Sequence, residues 1–323
     1  MESGTDHLTT FQVQEIAIDY SGCSTDPEAA QAPKWNKIPD SRVTRHFKSP
    51  SQIGRALKLP EWQYNVTTVR YPNNVTVPNT NVCTIAFDIE NDLHPPVFLY
   101  YRLSNFYQNH RRYVKSEDPH QMKGENRTAS QIKSGGCDPL TIGENNLPYY
   151  PCGLIANSLF NDTFNNLILQ NPTSNTTTYP MTTTGIAWDS DRALYKQTKY
   201  TADQVVPPPN WRKMYPAYNS TIQIPNLQEW EAFQVWMRTA GLPDFSKLAK
   251  RNDTGIMYYG RYQIDIWDEF DVNVFKGTKS ILISTRTVMG GRNPFLGIAY
   301  LVVGGICIVL GAIFTATHII KPR

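Results

Sequence analysis

The sequence ends in an apolar run that fixes its relation to a lipid bilayer. From Phe295 to Ile320 it reads FLGIAYLVVGGICIVLGAIFTATHII, with no Asp, Glu, Lys or Arg until Lys321. About 20 apolar residues cross the ~30 Å hydrocarbon core as a helix, and a soluble core helix has no need of so long an unbroken stretch. The run predicts a transmembrane helix over residues 294–320, followed by a short stump at 321–323. Basic tails stay in the cytosol, so the stump is expected there, although Arg292 on the other flank reduces the charge asymmetry. Residues 13–293 then form one domain on the opposite side, preceded by an atypical polar segment at 1–12.

Three features fit an exoplasmic or lumenal domain. Asn-X-Ser/Thr occurs at Asn65, Asn74, Asn126, Asn161, Asn175, Asn219 and Asn252, all on one side of the span; each is an acceptor for an N-linked glycan if that side is lumenal. Cys23, Cys83, Cys137 and Cys152 lie in the same region, with Cys307 inside the span. Four cysteines in an oxidising compartment predict two disulfides, and the sequence allows three pairings. A Cys137–Cys152 bridge would close a short loop and stabilise by about 3 kcal/mol. Met1 to Phe11 is polar and holds no apolar signal segment, so a targeting element is expected that this sequence does not contain.

The net charge of +3 excludes a strongly basic nucleic-acid binder. With 23 Pro, 18 Tyr and 13 Phe, and β-branched residues in short runs, the composition favours strands and long loops. Cys83, Ile85, Phe87 and Ile89 alternate, and Val97, Leu99, Tyr101 and Leu103 resume the alternation after Asn91–Pro96; this predicts two antiparallel strands joined by a loop. Tyr262, Ile264 and Ile266 form a third strand. A turn at Phe275–Thr278 leads to a fourth over Ser280–Thr287, close to Gly290-Gly291-Arg292 and the span. Asn226 and Glu229 have capping-box spacing, and Trp230, Phe233, Trp236 and Met237 recur at helical spacing as a core-packing stripe, ended by Gly241-Leu242-Pro243. Residues 104–148 and 165–220 read as long loops. The fold class is therefore mainly β: an antiparallel sandwich-like domain with disulfide-stapled loops, a few helices and a C-terminal membrane helix.

No catalytic or metal-binding constellation emerges. The P-loop pattern and a GxSxG elbow are absent, and no two of the six histidines have metal-ligand spacing. Asp265, Asp268, Glu269 and Asp271 raise a glycosidase reading, but they fall in what reads as a solvated hairpin bend. His110-Arg111-Arg112 is a compact basic motif that could meet lipid headgroups or an acidic loop of a partner, or simply form surface salt bridges. In the span, Gly297, Gly304 and Gly311 are seven apart and drift only ~20° per heptad, so they share one face. Small residues let a second helix approach closely in lipid, which makes this face, with Asn293 and Pro294 at its start, a candidate partner-binding surface.

Longer patterns then become legible. Tyr149-Tyr150-Pro151-Cys152-Gly153-Leu154-Ile155-Ala156-Asn157-Ser158-Leu159-Phe160-Asn161-Asp162-Thr163-Phe164 resembles the signature of the cell division control protein 50 / ligand-effect modulator family. So do Asn105 to Val114, Pro207-Pro208-Pro209-Asn210-Trp211, Phe233 to Ala240, and Gly290 to Ile298. The resemblance runs from about Val13 to the end and is to fungal members above all. It implies a non-catalytic β-subunit of a type IV P-type ATPase, a lipid flippase, on which the partner depends for folding, exit from the endoplasmic reticulum and its transport cycle. It places such a subunit in the endoplasmic reticulum, Golgi, endosomes or plasma membrane. It also implies Cys23–Cys83 and Cys137–Cys152 disulfides, a glycan on Asn161, no cofactor, and a first membrane helix just before Val13-Gln14-Glu15-Ile16, where this sequence has Met1–Thr10 instead. The competing readings are a stand-alone cell-surface glycoprotein that binds carbohydrate or lipid, and the glycosidase.

Overall fold

The computed structural model describes residues 13–24, 34–48, 51–54, 56–170, 177–285 and 294–320, the side chains of the last stretch from residue 298. Two compact units emerge, Gln14–Thr285 and a unit that contains the C-terminal helix. The larger unit is built on two antiparallel sheets. The first has five strands: β1 (Glu15–Asp19), β3 (Val43–His46), β6 (Val97–Leu103), β10 (Phe245–Asn252) and β12 (Lys279–Thr285), in the order β10-β6-β12-β1-β3. The second contains β2 (Asn36–Lys37), β4 (Glu61–Arg70), β5 (Thr76–Ile89), β11 (Gly260–Trp267), β8 (Leu167–Gln170) and β9 (Thr178–Tyr179) in that order, with β7 (Thr163–Phe164) also paired to β11.

The alternation read from the sequence is the inward face of these strands. Ile85, Phe87 and Ile89 from one sheet, and Val97, Leu99 and Leu103 from the other, are completely buried in a single core. Ile16 and Ile18, Ile264 and Ile266, and Ile281 and Ile283 complete it. Burying such side chains contributes roughly 1.5–3 kcal/mol each, which makes the two sheets one cooperative sandwich.

Two connections differ from the sequence expectation. β5 and β6 are not partners: β5 pairs with β4 and β11, and β6 with β10 and β12. The link between them crosses from sheet to sheet, with Leu93 buried and bonded through both backbone groups to Met257. Similarly, β11 and β12 lie in different sheets, so the acidic tract between them is a crossover and not a hairpin bend. Period-two alternation reports which face of a strand is buried; two strands facing each other across a core show the same pattern as two strands side by side.

Between β6 and β10 the chain makes a long excursion containing short helices: α1 (Arg111–Val114), α2 (Pro119–Met122), α3 (Ala129–Lys133), α4 (Leu154–Asn157), α5 (Asp189–Arg192) and α6 (Glu231–Met237). α3 has a complete capping box, Thr128 with Gln131. The box expected at Asn226 and Glu229 does not form. Asn226 Oδ1 accepts from Gln228 N in a local turn, and α6 starts only after Trp230, with no side-chain cap. A short polar residue can satisfy its own turn as well as a helix end, and here the turn wins. The stripe is nonetheless core: Phe233, Trp236 and Met237 are buried and Trp230 packs against them.

The disulfides join Cys23 to Cys83 and Cys137 to Cys152, the pairing that the resemblance implies. The first ties the segment after β1 to β5 and so links the two sheets; the second closes a loop with a sequence separation of 15. The smaller unit holds α7 (Pro294–Ile320), within which Ile298–Ile320 is long and apolar enough to span a membrane, with a mean hydropathy of 2.4. Thr315 Oγ1 donates to Gly311 O at 2.8 Å, so its hydroxyl is satisfied within the helix, as an apolar surrounding requires.

Candidate functional site

The segments singled out in the sequence converge around one four-residue helix. α4 carries Leu154-Ile155-Ala156-Asn157, and two indoles cap it from outside: Trp236 Nε1 donates to Ile155 O at 2.7 Å, and Trp211 Nε1 to Ala156 O at 2.8 Å. Asn210 N donates to Asn157 Oδ1 at 2.9 Å. Gln108 is fully buried; its Oε1 accepts from Ala240 N at 2.9 Å and its Nε2 donates to Tyr113 Oη at 3.3 Å, while Tyr113 Oη and Ser158 Oγ lie 2.8 Å apart. Four stretches distant in sequence, at 105–114, 149–164, 207–211 and 233–240, thus share one hydrogen-bonded hub.

The glycine of the Pro-Cys-Gly segment is dictated by this packing. Gly153 has φ of +95°, and a Cβ there would stand 2.1 Å from the Ser116 carbonyl oxygen. No L side chain fits that position.

Downstream of α4 the chain reaches Asp162, which is buried and bonded on every side. Its Oδ1 accepts from Glu269 N at 2.7 Å and Phe270 N at 2.6 Å; its Oδ2 accepts from Tyr20 Oη and from Lys279 Nζ, each at 2.8 Å. The same ammonium bonds Asp268 and the Phe270 carbonyl. Asp268 is therefore no solvated loop residue, as the acidic tract suggested: it is buried in an ion pair. Asp265 lies in β11, where Oδ1 accepts from the Thr84 hydroxyl at 2.7 Å. Burial, reinforced by the charge of Asp268 and opposed by Lys279, raises the Asp162 carboxyl above the usual carboxylate range. Burial alone would lower Lys279, but the attraction of Asp162 and Asp268 outweighs it and raises its pKa.

Neither Asp162 nor Lys279 was recognised from the sequence. The available signal was register: Lys279, Ile281 and Ile283 alternate onto the inward face of β12, so a lysine there must be buried and paired. A second buried lysine, Lys247 on β10, closes the C-terminal end of α6 by donating to Val235 O, Trp236 O and Arg238 O at 2.6–2.8 Å. Burial, with Arg238 adding to it, pushes its pKa down to about 7.

A cavity of about 550 Å³ opens beside Asp162, lined among others by Tyr71, Phe160, Asn161, Phe164, Tyr215 and Trp230. Of the sequon asparagines, Asn65, Asn74, Asn126 and Asn219 are exposed and Asn161 is half-buried at this cavity. Asn252 is buried; its Nδ2 donates to Pro180 O at 2.7 Å and its Oδ1 closes a turn on Thr254 N and Gly255 N. Asn175 lies outside the described residues.

His110, Arg111 and Arg112 are all exposed, and among the described residues neither arginine has an ion-pair partner. They follow a loop tied by Asn105 Nδ2 to Phe275 O and by Asn109 Nδ2 to Gly241 O, at the end of β6 and β12 opposite Thr285. Tyr107, Leu242 and Val274 are exposed at the same tip, at 56%, 69% and 82%. In α7, a Cβ added to Gly304 or Gly311 meets nothing within 4 Å; Gly297 and Pro294 contribute helical backbone, and Asn293 and the Gly290-Gly291 pair fall outside the described residues. Among those residues, no group of three His, Cys, Asp or Glu could hold a metal ion.

These features define a class: a disulfide-bonded two-sheet domain that precedes an apolar helix able to span a membrane. The chain belongs to the LEM3 (ligand-effect modulator 3) family / CDC50 family, whose profile matches residues 7–323. It is 40% identical over 320 residues to the phospholipid-transporting ATPase accessory subunit CDC50 of Chaetomium thermophilum, covering 96% of this chain and 77% of that protein. It is 40% identical over 316 residues to the phospholipid-transporting ATPase accessory subunit CRF1 of Saccharomyces cerevisiae, covering 98% and 75%. Cell cycle control protein 50A of Bos taurus is 41% identical over 255 residues, covering 75% of this chain and 70% of that protein.

Proposed function

We propose that this chain is the non-catalytic accessory subunit of a type IV P-type ATPase that moves phospholipid across a membrane. The observation that carries this reading is the match, across 96–98% of the chain, to two proteins named as phospholipid-transporting ATPase accessory subunits. The partner supplies ATP hydrolysis; this subunit supplies a folded cap and a membrane helix. It forms a heterodimer, resides in the endoplasmic reticulum, Golgi, endosomes or plasma membrane, and holds residues 13–293 on the lumenal or extracellular side, with N-linked glycans as its modification.

The open glycine strip of α7 supports a helix-packing contact. Arg111 and Arg112, exposed at the tip and without an ion-pair partner among the described residues, support contact with an acidic loop. Such a subunit alters a transport cycle only by binding some conformations of the ATPase better than others. The test is affinity purification of the full chain in mild detergent from cells making the ATPase. Recovery of the ATPase is expected, and the pair Gly304→Leu and Gly311→Leu is expected to reduce it. A chain purified alone overturns the assignment; unchanged recovery with the double variant overturns the helix contact.

A further inference from the structure

The cavity beside Asn161 has the size of a small-ligand site; its walls are mainly apolar, with Tyr71, Tyr101, Phe160, Phe164, Tyr215 and Trp230 among them, and its lining includes the half-buried Asn161 of a sequon. The residues on either side of Asn161 are both buried and held by specific contacts. Phe160 stacks on Tyr101 with ring centroids 4.0 Å apart and planes 3° from parallel. Asp162 is held by Tyr20, Lys279 and two backbone amides. The point of attachment is therefore rigid, and among the described residues the Asn161 side chain makes no hydrogen bond. Asn126 Nδ2, by contrast, donates to Gln204 at 2.9 Å, and Asn252 Nδ2 to Pro180 O.

We propose that this cavity is the seat of the first sugars of an N-linked glycan on Asn161, which pack their apolar faces on Trp230, Tyr215 and Tyr71 and make the glycan part of the tertiary structure. The inference rests on the lumenal placement proposed above. Attachment is an ordinary transfer. Asn161 Nδ2 bonds to the anomeric carbon of a lipid-pyrophosphate-linked oligosaccharide, the bond from that carbon to the pyrophosphate oxygen breaks, the pyrophosphate leaves with the electron pair, and the amide proton goes to a base. Because the sugar is tethered at the mouth, its effective concentration in the cavity is high and weak stacking suffices to hold it. A sugar suits these walls better than an acyl chain, because Asn226, Glu229 and Lys250 stand among the rings and offer partners for hydroxyl and N-acetyl groups.

The experiment is native digestion of the full glycoprotein with peptide-N-glycosidase, followed by site-by-site mass spectrometry. Release at Asn161 is expected to be about tenfold or more slower than at Asn65. Trp230→Ala removes one wall. Should that variant fail to fold, Ala232→Phe places a bulky ring at the cavity from an exposed position on α6. Either substitution is expected to bring release at Asn161 up to the rate at Asn65. Equal rates in the unmodified chain overturn the proposal, as do rates that neither variant changes. Lipid that co-purifies equally with the glycoprotein and with Asn161→Gln also overturns it, in favour of an acyl chain. A bare Asn161 beside occupied Asn65 and Asn74 overturns the seat alone; bare asparagines at all three overturn the lumenal placement with it.

Discussion

Lys279 Nζ lies 2.8 Å from Asp162 Oδ2, with side-chain exposures of 2% and 0%. One ammonium serves two buried carboxylates, since Asp268 is bonded to it as well. The contact joins the first residue of β12 in one sheet to the signature segment beside β7 and to the crossover that leaves β11. It locks the loop that carries Asn161 to the strand that ends at Thr285.

Removing the cation leaves two acids buried without compensation. Lys279→Met is expected to destabilise the domain by about 3–5 kcal/mol, and adding Asp162→Asn and Asp268→Asn to recover part of that loss. Urea denaturation of the full chain in detergent, followed by tryptophan fluorescence, measures both. Equal stability of Lys279→Met and the parent chain would remove the network from the account of the fold.

The two indoles that cap α4 predict a matched pair of effects. Trp236→Phe and Trp211→Phe each keep an aromatic ring but remove the indole donor from the Ile155 or Ala156 carbonyl, which keep the Ser158 hydroxyl and the Leu159 amide respectively at 3.2 Å. Each is expected to cost about 0.5–1.5 kcal/mol. Because both act on one turn of helix, their double variant is expected to be non-additive. Additive losses in a thermal-melt cycle would separate the two caps.

Lys247 gives a pH dependence with a definite sign. Its ammonium titrates near 7 in the folded domain, whereas an unfolded lysine titrates at about 10.4. Between those values the unfolded chain binds more protons, so this group makes stability rise with pH, by at most about 1.4 kcal/mol per pH unit. Comparing denaturation midpoints at pH 7 and pH 9 for the parent and Lys247→Met isolates it: the variant is expected to lack the rise.

The disulfides should rank by the loops they close. Cys137→Ser opens a separation of 15 residues and Cys23→Ser one of 60. In the chain-entropy account the losses are about 3 and about 4 kcal/mol. Denaturation of each single variant under non-reducing conditions checks the order, and a larger loss for Cys137→Ser would point to native packing around α4 as the dominant effect.

Much of the architecture was readable because it rests on local periodicity. The inward faces of β5, β6 and β11 appear directly as alternating Ile, Val, Leu and aromatic residues, and the apolar run of α7 is a matter of length. The partners of those strands were not readable, and both expected hairpins proved to be crossovers. The Asn226–Glu229 spacing likewise promised a cap that a local turn took instead. At the candidate site, Asn161 and the cysteine pairs came from the family resemblance, while Lys279 fell between the expected turn and strand with no role assigned and Asp268 looked like solvent-exposed charge. Burial of a charged group depends on what a distant segment brings to it, which no local window contains.

The sequence by itself determined the β character of the domain, the residues of its core, the membrane-compatible helix with its glycine face, and the family, because these depend on composition, on periods of two and 3.6 residues, and on contiguous motifs. Only the tertiary structure decided which strands share a sheet, which sequon is buried, and that Asp162, Lys279 and Asp268 meet. The Asp162–Lys279 bond alone joins residues 117 positions apart, and β1 and β12, which share a sheet, lie at opposite ends of the domain; such relations exist only once two sheets have closed over a common core and excluded the water that would otherwise have solvated each charge.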